Sequence, residues 1–167
     1  SMGNFTAFAA AFAMKGRGVV YLNDQTHSSL KRNLTAAGLD PAGIRVLLAP
    51  PSPEMAELIT PPGTKRMLEA LRATHDLVIV DCMSSFNDTT LAILDLADTV
   101  LTMLSLEITS IKNIRLFLEV ADQLGYGPDK VRLVLNRADS SLGIRVADVE
   151  HSIGRRVDHT IVSDGRS

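Results

Sequence analysis

The sequence predicts an α/β protein with a doubly wound, mostly parallel sheet of about six strands and helices on both faces. Three uninterrupted apolar runs, at residues 77–80, 100–104 and 131–135, have no polar face, which is typical of strands in a sheet that is covered on both sides. Segments with helical spacing separate these runs, and the connections are short. This alternation predicts right-handed strand–helix–strand units within one parallel sheet.

The remaining elements follow from local patterns. Short β-branched or apolar runs predict further strands at residues 19–22, 44–49 and 160–162. Helical periodicity and end signals predict helices at residues 4–14, 28–38, 64–73, 87–97, 110–124 and 146–153. Residues 50–62 contain five prolines, so we predict a loop there. Since no internal repeat or low-complexity segment interrupts the pattern, we interpret residues 1–167 as a single domain.

Composition argues against several classes of partner. Hydrophobic residues make up 46% of the chain and aromatic residues only 4%, so the core is aliphatic and few rings are available to stack on single-stranded nucleic acid. The net charge is −2, which supplies no basic field for nucleic acid or a membrane surface. The single cysteine, Cys82, fits the reducing cytoplasm and is expected to be a small buried residue. We expect a cytoplasmic protein without nucleic-acid or membrane partners, and the sequence favours no particular oligomeric state.

Polar residues follow the predicted strands directly. They are Asp24, Asp81, residues 105–107, residues 136–139 and residues 163–164. Because ligands of open α/β sheets lie beyond the carboxyl ends of the strands, we expect these residues along one edge. The alternative is that short polar residues simply end the strands and cap the helices that follow.

Five motifs carry a resemblance to a known family. They are HDLVIVD at residues 75–81, SSFND at 84–88, ADTVLT at 97–102, YGPDKVRLVLNR at 126–137 and IVSDGR at 161–166. Together they make residues 44–166 resemble the ParA/MinD-type ATPases, most closely their CpaE-like branch associated with pilus assembly.

That resemblance implies a role for each matching residue. It implies that Asp81 orients the water shell of a magnesium ion and that Asn136 reads the adenine base. It also implies that Ser163 and Asp164 belong to a loop near the nucleotide, and that Asp88 lies in the segment that senses the γ-phosphate.

The phosphate loop of those ATPases, G-x-x-x-x-G-K-S/T, does not occur in these 167 residues. Residues 62–65, PGTK, have similar letters in the wrong order and follow no predicted strand. The loop supplies the backbone N–H groups, the lysine and the magnesium ligand that stabilise charge in phosphoryl transfer. We therefore expect no complete catalytic activity and no resident cofactor, or at most weak binding of ATP or ADP with magnesium.

The first part of the chain resembles a different family. GNFTAFAAAFAMKGRGVVY at residues 3–21 and DQTHSS at 24–29 resemble a fragment of a fold-type I pyridoxal-phosphate decarboxylase. This resemblance implies that His27 is a vestigial contact to the pyridine ring, whereas the alternative is a histidine making local hydrogen bonds at a helix start.

The two resemblances meet near residues 42–48 and favour a recombined, engineered chimera that serves as a scaffold. The alternative is a divergent ParA/MinD-like nucleotide-binding protein of pilus assembly or localisation.

Overall fold

The computed structural model describes residues 18–22, 35, 44–48, 54, 58–82, 86–139 and 143–163. The chain divides into two compact units, Ser1–Leu96 and Ala97–Ser167, and each has its own parallel sheet. Within the described ranges, no helix is both long and apolar enough to cross a membrane.

The first unit contains, among its described residues, a three-stranded parallel sheet and two helices. The elements are β1 (Gly18–Leu22), β2 (Ile44–Leu48), α1 (Pro61–Thr74), β3 (Leu77–Val80) and α2 (Asp88–Leu96). β1 lies between β2 and β3, with Gly18 opposite Ile44 on one side and Leu77 on the other. The two helices pack on each other, and Leu68 and Leu94 are buried.

Helix α1 begins at Pro61, within the segment that the sequence predicted to be a loop. The hydroxyl of Thr60 caps the helix by accepting the N–H of Gly63 at 3.3 Å. Proline is well tolerated in the first turn, because the N–H groups of these residues have no partner within the helix. The loop prediction was therefore wrong at its end, since Pro61 and Pro62 start the helix rather than interrupt it.

The second unit repeats the strand–helix alternation. Its elements are β4 (Val100–Leu104), α3 (Ile108–Gln123), β5 (Val131–Asn136), α4 (Val146–Ile153) and β6 (His159–Ile161). β5 lies between β4 and β6, and both pairings are parallel. Val100 is opposite Val131 at one end of the sheet, and Asn136 is opposite Ile161 at the other.

An aliphatic core fills the second unit. Its most deeply buried side chains come from the strands and from the helices that cover them: Leu104, Leu106, Ile114, Leu133, Leu135 and Val149. Three consecutive residues of β5, at positions 133–135, are completely buried, which requires protein on both faces of that strand. The both-sided apolar pattern therefore predicted the environment of β5 correctly.

The predicted α/β class with parallel strands is confirmed. The six described strands form two three-stranded sheets, so the count of about six strands in one sheet is not confirmed. The single-domain interpretation stays a prediction. The predicted helix at residues 4–14 lies outside the described residues, and within the predicted helix at 28–38 only Thr35 is described, as helical.

Candidate functional site

Two hydrogen bonds connect the segments that follow β5 and β6. The N–H of Ala138 donates to the carbonyl oxygen of Ile161 at 2.9 Å. Two residues after the end of β6, the N–H of Ser163 donates to Oδ1 of Asp139 at 2.7 Å. We call residues 136–139 and 161–163 the carboxyl rim. Because the sheet is parallel, this rim is the edge at which α/β proteins place ligands.

Arg137 gives the rim its shape. Among the described residues it is the one non-glycine residue with a positive φ, of 55°. This left-handed conformation costs an L-residue about 1–2 kcal/mol, and it persists where surrounding contacts hold it. The two residues that follow Arg137, Ala138 and Asp139, each form one of the hydrogen bonds described above, to Ile161 and Ser163 respectively.

Asn136 presents an acceptor that no described residue uses. Its Oδ1 is buried and has no hydrogen-bond partner among the described residues. A buried polar group without a partner costs about 1–3 kcal/mol, so a ligand N–H that reached this atom would remove that cost.

Three other buried polar atoms share this property within the described part of the chain: Thr64 Oγ1, His75 Nε2 and Thr102 Oγ1. Thr64 lies in a helix, His75 precedes a strand, and Thr102 lies in the middle of one. Asn136 alone among these four residues stands at the carboxyl end of a strand.

Asp139 carries the negative charge of the rim. Hydrogen bonds from the backbone and side chain of Ser163, together with the nearby charge of Arg137, lower the pKa of Asp139 below its ordinary value. The carboxylate is exposed and is therefore ionised at neutral pH. The rim thus combines the ionised carboxylate of Asp139 with the neutral amide oxygen of Asn136. Both can accept hydrogen bonds, so they favour a ligand that offers N–H donors.

The amino end of the same strand pair is arranged differently. Asp158 accepts the N–H of Leu133 at 2.7 Å, and Arg132 and Arg155 lie 3.2 Å and 3.8 Å from its oxygens. Burial favours a raised pKa for Asp158, but these hydrogen bonds and positive charges outweigh it, so the pKa is lowered. Arg155 also donates to the carbonyl oxygens of Pro128 and Val131. These polar groups are mutually paired, which is typical of a structural cluster rather than a binding site.

Asp81 lies in the first unit, immediately after β3, and is partly buried. A group of three or more His, Cys, Asp or Glu side chains able to hold a metal ion does not occur among the described residues. Magnesium is commonly held by one or two carboxylates together with substrate phosphates. Asp81 therefore fits a magnesium ion only in company with a ligand that brings its own oxygens.

Cys82 follows Asp81 and is exposed, so the expectation of a buried cysteine was wrong. Neighbouring protein atoms nevertheless desolvate the sulfur, which disfavours the charged thiolate, and the negative charge of Asp81 disfavours it further. The pKa of Cys82 is therefore raised to about 11. Because the thiolate is the nucleophile, this thiol is poorly reactive at neutral pH.

The first turn of α1 does not provide a cradle for phosphate. Pro61 and Pro62 have no N–H, and the N–H of Gly63 already bonds to Thr60. No N–H among the first three helical residues is left for an anion, although other helix N-termini bind phosphate in this way. The expectation that residues 62–65 do not replace a phosphate loop agrees with this geometry.

Two further segments make contacts at helix starts. Asp88, in the segment that the resemblance relates to γ-phosphate sensing, is the exposed first residue of α2, and Oδ1 of the preceding Asn87 caps that helix by accepting the N–H of Thr90 at 2.8 Å. Among the predicted strand-end residues, the N–H of Ser105 donates to Oγ of Ser110 in the first turn of α3 at 2.9 Å, and the N-cap residue of α3 makes no side-chain capping bond.

The structure therefore brings together Asn136 and Ser163, of the residues that the sequence predicted to bind a nucleotide. Asp164, Gly165, Asp24 and the predicted pyridoxal-phosphate contact His27 lie outside the described residues. The hydrogen bond between Asp139 and Ser163 was not predicted. Its signal was the aspartate three positions after the strand-end asparagine, within the segment 136–139.

No protein-family model matches this chain, and no curated protein matches it by sequence. Its fold is similar to several solved structures. A ParA-family ATPase from Chlorobium tepidum superposes with a TM-score of 0.78 at 17% identity, covering 98% of this chain and 81% of that one. MinD from Pyrococcus horikoshii, in complex with Mg-ADP, has a TM-score of 0.67 at 14% identity and coverages of 97% and 77%. A Borrelia burgdorferi plasmid partition protein bound to AMPPNP has a TM-score of 0.64 at 13% identity, with coverages of 97% and 81%.

At these identities the likeness shows a shared fold. It covers 98% of the chain, which is more than the residues 44–166 on which the sequence resemblance rests. The resemblance to ParA/MinD proteins is supported at the level of fold. The resemblance of residues 3–43 to a pyridoxal-phosphate enzyme, the chimera and the narrower CpaE-like assignment gain no support from these comparisons.

Proposed function

We propose that this chain is a ParA/MinD-like nucleotide-binding protein, in which the carboxyl rim of the second unit receives an adenine base. The observation that carries the proposal is the buried Oδ1 of Asn136, which has no hydrogen-bond partner among the described residues and lies at the carboxyl edge of a sheet whose fold is shared with nucleotide-binding proteins. The earlier preference for a chimeric scaffold is set aside, because the fold likeness extends along nearly the whole chain.

The chemistry of the asparagine side chain suits this ligand. An amide can accept a hydrogen bond from the exocyclic amine of adenine and donate one to a ring nitrogen of the same base. A good bidentate pair of this kind contributes about 1–3 kcal/mol of discrimination between bases. Oδ1 of Asn136 would then gain the partner that it lacks within the described protein.

Asp81 belongs to the first unit and is no part of the carboxyl rim. The resemblance implies that its partly buried carboxylate orients the water shell of a magnesium ion, and magnesium is commonly held by one or two carboxylates together with phosphate oxygens. The sequence contains no phosphate loop, and the first turn of α1 has no N–H to spare for phosphate. We therefore expect the base to supply most of the affinity, with a Kd on the order of 1 mM, about 4 kcal/mol, and no measurable ATP turnover.

Calorimetric titration tests the proposal with three ligands: Mg-ADP, adenosine and guanosine. We expect adenosine to bind nearly as tightly as Mg-ADP, and guanosine to bind more weakly than either. Asn136→Ala should abolish the signal, whereas Asn113→Ala, which removes an exposed asparagine from α3, should leave it unchanged.

Two results would refute the proposal. One is the absence of any heat with Mg-ADP and adenosine up to millimolar concentrations. The other is ADP binding that is much tighter than adenosine binding and indifferent to Asn136→Ala, since the phosphates would then be held at another place.

A narrower role in the assembly or localisation of pili rests on the CpaE-like motifs alone, at residues 75–81, 84–88 and 126–137. It implies the cytoplasm, where nucleotides are abundant and a single cysteine stays reduced. Loss of pilus formation after replacement of the gene by an Asn136→Ala allele, with normal protein levels, is its expected consequence. Normal pili in such cells would show that pilus formation does not depend on nucleotide binding through Asn136.

A further inference from the structure

We propose that Asp139 is a positioning residue that holds Asn136 in the geometry that reads the base, by tying the loop after β5 to the segment after β6. This inference rests on the proposed nucleotide binding and adds a residue to which the sequence resemblance assigns no role. Asp139 itself need not touch the ligand.

The path of the chain after Asn136 brings Asp139 to Ser163. After Asn136 the backbone passes through the left-handed Arg137, and two residues later the carboxylate of Asp139 reaches the N–H of Ser163 at 2.7 Å. These two residues are 24 positions apart in sequence, so the bond fixes one rim segment against the other.

The bond between Asp139 and Ser163 restrains the turn at Arg137. A left-handed conformation is unfavourable for an L-residue, so this turn tends to open once its restraints are removed. Without that bond, the described restraints on the rim are the parallel pairing of Asn136 with Ile161 and the hydrogen bond from Ala138 to the carbonyl oxygen of Ile161, at 2.9 Å. Opening of the turn would change the orientation of Asn136, which is its direct neighbour in the chain.

The side-chain oxygen of Asn136 is held in a buried position. Oδ1 of Asn136 stays buried without a partner among the described residues, although rotation of the side chain toward water would relieve its cost. The contacts between the two rim segments must therefore hold the side chain of Asn136 in place. Among the described residues, the hydrogen bonds between the carboxylate of Asp139 and Ser163 cross the rim, and together with the charge of Arg137 they lower the pKa of Asp139 below its ordinary value.

Three variants test the proposal: Asp139→Ala, Asp139→Asn and Asp129→Ala. The asparagine retains an oxygen that can accept the N–H of Ser163, so it should rescue what the alanine loses. Asp129 is a matched control, since it is an exposed aspartate just before β5, at the opposite end of the strand. Because Asp139 is exposed, all three variants should fold, which circular dichroism and the melting temperature will verify.

We expect Asp139→Ala to weaken adenosine and Mg-ADP binding about tenfold, equivalent to about 1.4 kcal/mol. Asp139→Asn should stay within about twofold of the wild type, a difference of about 0.4 kcal/mol. Asp129→Ala should have no effect. Equal affinity of the wild type and Asp139→Ala would overturn the inference, because Asp139 would then be dispensable to the base contact.

A second readout does not depend on ligand binding. In ¹H–¹⁵N NMR spectra without ligand, the side-chain amide signals of Asn136 should shift in Asp139→Ala and keep their wild-type positions in Asp139→Asn. The backbone amide of Ser163 should exchange with solvent faster in the alanine variant alone. Unchanged Asn136 signals would overturn the inference.

The two readouts also separate the proposals. If the wild type binds no nucleotide, the proposed function fails, and the Asn136 signals alone then decide whether Asp139 positions that side chain.

Discussion

Asp139 and Asp158 make similar hydrogen bonds at opposite ends of one strand pair. Each accepts a distant backbone N–H at 2.7 Å, from Ser163 and Leu133 respectively. At the amino end, Arg132 and Arg155 complete the pairing of Asp158. At the carboxyl end, the neighbouring Asn136 retains a buried acceptor without a partner among the described residues.

This difference shows how a structural carboxylate can be distinguished from one at a binding site. A lowered pKa and a short hydrogen bond are common to both aspartates, so neither property identifies the site. The distinguishing property is the unsatisfied polar group nearby, because a ligand could supply the hydrogen bond that this group lacks among the described residues.

Leu133→Ala should produce the largest effect, because Leu133 is completely buried in β5 and lies between the two ends. Removing its side chain leaves a cavity, and we expect the free energy of unfolding to fall by about 2–5 kcal/mol in urea titrations. Leu116→Ala is the control, since Leu116 is half exposed on α3 and should change stability by no more than about 0.5 kcal/mol. Similar losses in both variants would contradict the burial of β5.

Asp158→Ala should destabilise the protein without affecting nucleotide binding, which is the reverse of the pattern expected for Asp139→Ala. It removes the acceptor for the N–H of Leu133 and the partner of two arginines. We expect a loss of about 1–3 kcal/mol in the free energy of unfolding, measured by urea titration. A loss of adenosine affinity in the folded variant would show that the two ends are not independent.

Gly154→Ala tests the turn that leads from α4 to Arg155. Gly154 ends the helix with a φ of 68°, and a Cβ there would meet no atom within 4 Å, so the cost is conformational. We expect a loss of about 1–2 kcal/mol in thermal or chemical unfolding. Gly127 has equally open surroundings and no positive φ, so Gly127→Ala should be neutral or stabilise by up to about 1 kcal/mol. Equal effects would contradict the conformational explanation.

Acid should weaken the amino-end cluster. The pKa of Asp158 is lower in the folded protein than its unfolded value of about 3.9, so the unfolded state binds protons more readily. The stabilisation from the ionised carboxylate is therefore complete above about pH 4 and declines as the pH falls through the folded pKa. The stability difference between wild type and Asp158→Ala should shrink in urea titrations from pH 5 to pH 3. A constant difference over that range would contradict this assignment.

The sequence predicted the secondary structure most reliably where a local signal was sufficient. The apolar runs at Leu77–Val80 and Val100–Leu104 are strands with the predicted bounds, and Val146–Ile153 is a helix that ends before Gly154 as expected. Pro61 was misinterpreted because proline is compatible with both a loop and a helix start, and the cap from Thr60 decides between them.

Long-range contacts could not be predicted in the same way. No local pattern predicts the contacts of Arg155, whose guanidinium is partly buried against Asp158 and two carbonyl oxygens. The bond between Asp139 and Ser163 joins residues whose separation of 24 positions carries no local pattern. Both contacts depend on strand register, which brings the loops of β5 and β6 side by side.

The parallel α/β class, the aliphatic core and the asparagine at the end of β5 could be predicted from the chain alone, because periodicity and strand-end chemistry are local properties. Three features became visible only in the folded structure: the place of β1 between β2 and β3, the place of β5 between β4 and β6, and the lack of a hydrogen-bond partner for Oδ1 of Asn136 among the described residues. The physical reason is that strand pairing and hydrogen-bond satisfaction depend on which distant residues become neighbours, and packing rather than local propensity selects those neighbours.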